Sequence, residues 1–331
     1  MTLLDLTSPT ASAEAAPATS RGRLVGVLAA ALLLTAGLAV LSLFVGAAEL
    51  SGQILVVSRI PRTAAVLLAG AAMAMSGLLM QLLVRNRFVE PATVGTTEAA
   101  GAGLLIATVL TPSMPVAGKM VIAVGTALLG TALFLQVLKR IPPAEGTVLV
   151  PLVGIMLSGV ISAATTFVAY RLDLLQTLTT WLTGDFSGVL RGRFELLWLA
   201  GAALVVTWFY ADRFTAAGLG RDHATNLGLN HRAVVRLGLV LVSVCSAVCV
   251  VVVGALPFLG LVVPNVVSLL LGDNLRRSLP VVALAGASLV LACDLLARTL
   301  NHPYEIPVGV IVGIVGAAGF LALLLHRKGP R

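Results

Sequence analysis

Few ionisable residues interrupt the apolar segments of this 331-residue chain, and Asp294 and Arg298 form the most informative pair. Residues four positions apart lie on the same face of a helix, where opposite charges attract. The spacing therefore predicts a local ion pair near the outer end of a helix. A proton relay is the alternative, but it favours ionisable groups nearer the middle of a membrane.

Two carboxylates and three amides make up the other polar residues that could do chemistry in apolar surroundings. Glu90 and Glu98 flank the start of an apolar segment, and we interpret them as helix-capping or loop contacts in preference to ligand contacts. Gln81, Asn86 and Asn265 allow two interpretations, which are hydrogen bonding between helices and a polar position along a path through the protein. The first is the more conservative interpretation.

Catalysis has no candidate residues in this sequence. The chain contains no G-x-x-x-x-G-K-[ST] loop for a nucleotide and no H-E-x-x-H zinc motif. Its four histidines fall in expected loops or helix ends, and its three cysteines, Cys245, Cys249 and Cys293, lie inside apolar segments without the spacing of a zinc site. We therefore predict no catalytic residue, no metal site and no cofactor.

Composition places these residues in a membrane protein. Hydrophobic residues make up 58% of the chain, charged residues make up 11%, and the mean hydropathy is +1.04, whereas a soluble domain carries about 25% charge. The net charge of +8 sits in short clusters between apolar segments, which is typical of inner-membrane proteins and speaks against nucleic-acid binding.

The apolar segments predict an all-α polytopic protein of about ten transmembrane helices, since a span needs about 20 residues. The expected helices are Leu24–Ala47, Thr63–Val84, Val94–Leu110, Val116–Leu138, Val148–Tyr170, Phe194–Ala211, Leu237–Val253, Leu256–Leu271, Leu279–Thr299 and Ile306–Leu325. The eighth is short and contains Pro257, Gly260 and Pro264, so it should face protein or a water-filled path. Glycines 70, 77, 309, 313 and 316 predict close helix contacts.

Basic residues set the expected orientation. With both termini in the cytoplasm, 15 of the 22 basic residues lie inside and 7 outside, as the positive-inside rule favours. Residues 1–22 lack the basic start of a signal peptide and predict a disordered cytoplasmic tail, followed by the membrane domain 23–326 and a short cytoplasmic tail 327–331. Residues 212–236 form the longest polar loop assigned to the cytoplasm.

Short motifs spread over about 250 residues resemble the FecCD family, the permease subunits of ATP-driven iron-siderophore and vitamin B12 importers. They occur in the family's order, which makes chance similarity improbable. The matching positions are Arg59 to Arg62 (R-x-P-R), Gly70, Ser76, Gly77, Gln81, Arg85, Asn86, Pro91, Gly95, Asn226 to Gly228, Gly254, Phe258 to Pro264, Gly272, Asp273, Leu279, Pro280, Asp294, Arg298, Glu305, Pro307 to Gly309 and Gly316.

The resemblance implies a type II ABC importer permease fold in the bacterial cytoplasmic membrane. Such a subunit pairs with a second permease, identical or different, and works with a cytoplasmic ATPase dimer and an extracytoplasmic substrate-binding protein. The ferric-siderophore cargo passes between the two permeases, and the fifth helix is the expected wall. The permease itself performs no covalent chemistry.

The resemblance also assigns site residues. Arg59, Arg62 and Arg298 match arginines that meet acidic residues of the binding protein, although they could instead be interfacial anchors or partners of Asp294. Ala224, Asn226, Leu227, Gly228 and Leu229 match the loop that sits in a groove of the ATPase, with a solvated basic loop as the alternative.

Three short segments depart from the family pattern. The chain reads Asn86-Arg87-Phe88-Val89, Val263-Pro264-Asn265 and Ala317-Ala318-Gly319-Phe320 where most members differ. The first two, together with the P-Y-E-I-P stretch from Pro303 to Pro307, are similar to permeases for catecholate ferric siderophores, so we expect a catechol-containing iron chelate. Impaired transport is a weaker interpretation. The rival function class is a secondary transporter driven by an ion gradient, which would usually need ionisable groups near the bilayer midplane.

Overall fold

The structure is a computed structural model that describes residues 21–46, 51–138, 140, 146–272 and 274–326. Nearly all of these residues are helical, because a helix satisfies every internal backbone group within its own segment when water is absent. The helices are α1 Arg21–Phe44, α2 Ile60–Val84, α3 Thr96–Leu110, α4 Val116–Leu138, α5 Gly146–Arg171, α6 Leu175–Leu182, α7 Leu197–Phe209, α8 Ala211–Gly218, α9 Arg221–Asn226, α10 His231–Val253, α11 Leu259–Leu271, α12 Leu275–Thr299 and α13 Val308–His326.

The expectation of about ten spans is confirmed. Among the described residues, seven helices are long and apolar enough to cross a membrane, and three shorter apolar helices, α3, α7 and α11, complete the set. Each coincides with one expected segment to within about six residues, except that the second span starts at Gly52, eleven residues before the expected Thr63. The first span begins at Arg21, so the last two residues of the expected tail 1–22 are helical. Residues 1–20, Lys139, Asp273 and 327–331 lie outside the described residues.

Helix α2 forms the centre of the bundle. It continues a span that starts at Gly52 and includes a π-helical turn, Leu55–Arg59. Most of the apolar part of this span is buried. Helices α7, α10, α11 and α12 pack around it. The expected close contacts at Gly70 and Gly77 are confirmed, because a Cβ on Gly70 would stand 2.8 Å from the carbonyl oxygen of Gly286 in α12 and one on Gly77 would overlap the backbone of Gly260 in α11.

The glycines of α13 contact interrupted segments instead of regular helices. A Cβ on Gly309 would lie 2.9 Å from the nitrogen of Gly184, and one on Gly316 would lie 2.6 Å from the Cβ of Phe258. Residues 183 and 255 form an isolated bridge between two such segments. These close approaches place irregular backbone inside the bundle, as the proline and glycine residues around Pro257 predict.

Candidate functional site

Arg62 lies at the first turn of α2 and is bound to two carboxylates that are distant in sequence. Its Nε and Nη2 donate to Oδ1 of Asp294 at 3.1 and 2.8 Å, and its Nη1 donates to Oε2 of Glu305 at 2.7 Å. The side chain of Asp294 is fully buried. The two acids come from α12 and from the segment before α13, so Arg62 connects three parts of the chain.

Arg298 completes this cluster on the other side of Asp294. It pairs with Oδ2 of the same carboxylate one helical turn away, which confirms the ion pair that the spacing predicts. It also donates to the carbonyl oxygens of Ser42 and Val45 at 3.0 Å, and so fastens α1 to α12. Two arginines and two acids give a cluster without net charge, the arrangement that a low-dielectric environment favours.

Arg59 lies beside the cluster and donates to the carbonyl oxygen of Leu43 at 2.8 Å. We call the end of the bundle that carries Arg59, Arg62 and Arg298 the arginine end. All three side chains are buried, with 5 to 8% of each residue exposed. The pairing with Asp294, which the sequence analysis left open, is present for Arg62 and Arg298, and their role in docking stays a prediction.

Gln81 and Asn265 tie α2, α11 and the segment after α2 together. Nε2 of Gln81 donates to the carbonyl oxygen of Gly260 at 3.2 Å. Nδ2 of Asn265 donates to the carbonyl oxygens of Arg87 and Leu261 at 2.9 and 2.7 Å. Both side chains thus make the hydrogen bonds between segments that the conservative interpretation predicts. Asn86 accepts from the N–H of Phe88 at 2.9 Å and shapes the same turn.

Glu90 caps a helix, as expected of a carboxylate in this position, but the helix is α11. Its Oε1 accepts from the N–H of Phe258 at 3.1 Å, and its carboxylate also interacts with the N–H groups of Gly260 and Leu261. The first N–H groups of a helix have no partner within the helix, and the positive end of the helix dipole lies there and attracts a negative charge. Glu90 therefore holds the start of α11 against the segment that follows α2.

The opposite end of the bundle, which we call the loop end, carries α8, α9 and the predicted coupling residues. Ala224 is fully buried, whereas Leu227 has 66% of its surface exposed. The N–H of Gly228 donates to the carbonyl oxygen of Thr225, and the N–H of Leu229 donates to that of Ala224, both at 2.9 Å.

This pair of bonds is a Schellman motif, with Gly228 at a φ of 73° as its left-handed residue. Gly228 therefore stands just after the end of α9. The turn projects the apolar side chain of Leu227 into the surroundings, next to Asn226, which is also exposed.

Metal-ligating groups are dispersed across the part of the chain that the structure describes. No cluster of three or more His, Cys, Asp or Glu side chains there could hold a metal ion. The three cysteines are free and buried in helices α10 and α12.

A model of the FecCD transport family matches residues 23–326, almost the whole chain. The chain belongs to the FecCD transport family. The resemblance carried by the short motifs is therefore confirmed.

Individual relatives of this FecCD chain match it over nearly their full length. It is 44% identical over 302 residues to the petrobactin import system permease protein YclN of Bacillus subtilis, covering 88% of this chain and 95% of the relative. It is 41% identical over 295 residues to the ferric-anguibactin transport system permease protein FatD of Vibrio anguillarum, covering 86% and 94%. It is 36% identical over 278 residues to the vitamin B12 import system permease protein BtuC of Klebsiella pneumoniae, covering 82% of each.

Solved structures confirm the expected ABC importer permease fold. A metal-chelate type ABC transporter in an inward-facing conformation superposes on this FecCD chain with a TM-score of 0.78 and 26% identity, over 91% of this chain and 99% of that one. PsaBC from Streptococcus pneumoniae superposes with a TM-score of 0.62 at 15% identity, which shows a shared fold.

The sequence did not indicate that Glu305 and Ser42 are hydrogen-bond partners of the buried arginines in this FecCD protein. Glu305 was part of the family motif without a role, and Ser42 was not singled out, although its hydroxyl accepts from Nη2 of Arg298 at 2.9 Å. Glu305 is an acid expected on the same side of the membrane as Arg59, Arg62 and Arg298, and this could have indicated an ion pair. Ser42 carried none, because its partner is 256 residues away.

Proposed function

We propose that this chain is the permease subunit of an ATP-driven importer that carries ferric siderophores of the catecholate type across the bacterial cytoplasmic membrane. The observation that carries the proposal is the 44% identity to a petrobactin permease over 95% of its length. The ferric-anguibactin permease, at 41% identity, supports the same cargo class. Vitamin B12 permeases are less similar, which makes a corrinoid the weaker candidate.

ATP hydrolysis belongs in this proposal to a separate subunit, because the chain has no P-loop. We assign the contact with that ATPase to Ala224, Asn226, Leu227, Gly228 and Leu229 at the loop end. Buried Ala224 and the Schellman turn hold the segment in shape, and exposed Leu227 offers an apolar group to a groove. A side chain on a rigid turn loses little conformational freedom when a partner surface covers it.

A second permease subunit would cover part of the apolar surface. Helix α5 exposes Ile155, Met156, Val160 and Phe167, each with 57 to 67% of its surface accessible. These side chains suit a wall between two permeases that admits a large chelate and releases it again. Lipid would cover the remaining apolar surface, and the second subunit could be a copy of this chain or a different permease.

The substrate-binding protein would dock at the arginine end on the extracytoplasmic side, with both termini of the permease in the cytoplasm. Docking through Arg59, Arg62 or Arg298 would require a carboxylate of the binding protein to replace or join the contacts that these guanidinium groups make within the chain. Arg59 is the best residue to test, because Arg62 and Arg298 also balance the buried charge of Asp294. Changing Arg59 to Gln should weaken association in a salt-dependent manner, and thermal unfolding of the variant would separate this effect from a loss of stability.

Uptake of iron into proteoliposomes tests the function. The permease would be reconstituted with the ATPase and binding protein encoded near its gene, and ⁵⁵Fe loaded on a catecholate chelator would be supplied with the binding protein. We expect uptake that requires ATP inside and the binding protein outside. Equal uptake driven by a proton or sodium gradient without ATP would contradict the proposal and favour a secondary transporter.

A further inference from the structure

Four helix interruptions meet around one open cavity of the membrane domain. Its volume is about 270 Å3, and its walls include Thr97 and Glu98 at the start of α3, residues 183–184 after α6, residues 255–257 before α11, and Gly309 at the start of α13. Interrupted helices within a membrane protein recur at binding sites, because the free ends of helices present polar groups to a ligand.

Backbone hydrogen bonds join these interruptions to one another around the cavity. The N–H of Ala255 donates to the carbonyl oxygen of Leu182 at 3.1 Å, and the N–H of Gly309 donates to that of Gly184 at 2.7 Å. The walls are therefore held in place by backbone hydrogen bonds, which is how irregular backbone is tolerated at membrane depth. Some polar side chains beside the cavity have no partner of this kind.

Two such side chains line the cavity. Oε2 of Glu98 is buried and has no hydrogen-bond partner, and the same is true of the hydroxyl oxygen of Thr97, a residue with 4% of its surface exposed. A buried polar group without a partner is destabilising, so such groups call for a partner that binds there. Glu90 differs, because its carboxylate is bonded to the N–H of Phe258.

The chemistry of the cavity selects its ligand. Among the described residues that line it, Glu98 is the acid and none is Lys or Arg, so an anion would be repelled. Ca²⁺ and Mg²⁺ need about six or more oxygen ligands, whereas the side chains of this site offer one carboxylate and the two hydroxyls of Thr97 and Thr183. An organic ammonium group needs only a carboxylate and one or two acceptors, and apolar walls suit the carbon atoms attached to it.

We propose that Glu98 and Thr97 form a binding site for an organic ammonium group inside the membrane domain. Within the importer proposed above, the site holds an amine-bearing part of a cargo molecule during its passage. That transport role rests on the proposed function, whereas the binding site rests on the cavity and its unpartnered groups alone.

Carbodiimide labelling tests the site, because this reagent modifies carboxyl groups in apolar surroundings. Membrane vesicles containing the full chain would be treated with dicyclohexylcarbodiimide, and mass spectrometry would follow Glu98 and, as an internal control, Glu90. We expect Glu98 to react and bonded Glu90 to stay largely unmodified. Trimethylammonium should lower the labelling of Glu98 about tenfold at ten times its dissociation constant, whereas tert-butanol, similar in shape but uncharged, should not.

Replacing Thr97 with Val, which keeps the shape and removes the hydroxyl, should weaken this protection severalfold. Equal labelling of Glu98 and Glu90, equal protection by tert-butanol, or no protection at about 100 mM trimethylammonium, where a millimolar site is saturated, would overturn the proposal. Iron uptake separates the two proposals. Protection without chelate uptake by the wild-type complex would refute the import function and keep the site, and normal uptake without protection would do the reverse.

Discussion

The carboxylate of Asp294 joins two helices by holding one arginine on each of its oxygens. Oδ1 accepts from Arg62 of α2, 232 residues away, and Oδ2 pairs with Arg298 on its own helix. Glu305 neutralises the second positive charge through Arg62. At the arginine end, one fully buried carboxylate thus connects α2 and α12.

Changing Asp294 to Asn should destabilise the protein strongly, because it leaves an uncompensated positive charge among buried groups. Breaking a buried pair from one side costs about 3–5 kcal/mol. Thermal unfolding of the detergent-solubilised protein measures the loss. The matched control is Asp212→Asn, which removes the partner of Arg276 in an exposed pair and should cost about 0–1 kcal/mol. Equal effects of the two changes would show that the buried cluster is not a source of stability.

Changing Gly77 to Ala should force α2 and α11 apart, because the new methyl group would overlap the backbone of Gly260. Overpacking of this kind costs about 1–3 kcal/mol. Gly159→Ala is the control, because a Cβ at Gly159 would meet nothing within 4 Å. A lower unfolding temperature is expected for the first variant only, and two variants of equal stability would contradict the close contact.

Glu90 should stabilise the start of α11 through its carboxylate oxygens. Glu90→Leu removes the acceptor for the N–H of Phe258 and leaves it unpaired, at a cost of roughly 1–3 kcal/mol. Glu90→Gln keeps one oxygen acceptor, so its unfolding temperature should lie between those of the wild type and the Leu variant. The capping role would be refuted if the Leu variant were as stable as the Gln variant.

Leu227→Ser should reduce copurification of the ATPase and substrate-stimulated ATP hydrolysis, because it removes the exposed apolar group at the loop end. Leu219→Ser, at a residue 58% exposed in the turn before α9, controls for the general loss of an apolar surface group.

Gly228→Asn tests the turn itself and should reduce ATPase binding less than Gly228→Val, because Asn tolerates a positive φ. Normal ATPase binding by the Leu227 variant would remove this residue from the contact.

Single cysteines at positions 140 and 191 test the orientation. The native cysteines are buried, so background labelling should be low. An impermeant maleimide added to intact cells should label Arg191→Cys and leave Arg140→Cys unmodified, since both native arginines are exposed and are expected on opposite sides. Labelling at 140 from outside would reverse the map.

The spans and the local pair could be predicted from sequence because each depends on neighbouring residues. The lengths of the apolar segments located the ten apolar helices among the described residues, and a spacing of four residues predicted the pair of Asp294 and Arg298. Contacts between distant residues could not be found in this way. Nothing in the sequence around Glu90 points to Phe258, and the R-x-P-R motif does not show that Arg62 is bound to Asp294 and Glu305.

The glycine contacts of α2 also bear on how movement could spread through the molecule. Side chains between helices can change rotamer and absorb a small shift, but backbones in direct contact at Gly70 and Gly77 have no such slack. Helix α2 reaches from the arginine end to the loop end. If α2 shifts along its axis, α11 and α12 must therefore shift with it. A displacement that begins at one face of the membrane would then arrive at the other with little loss.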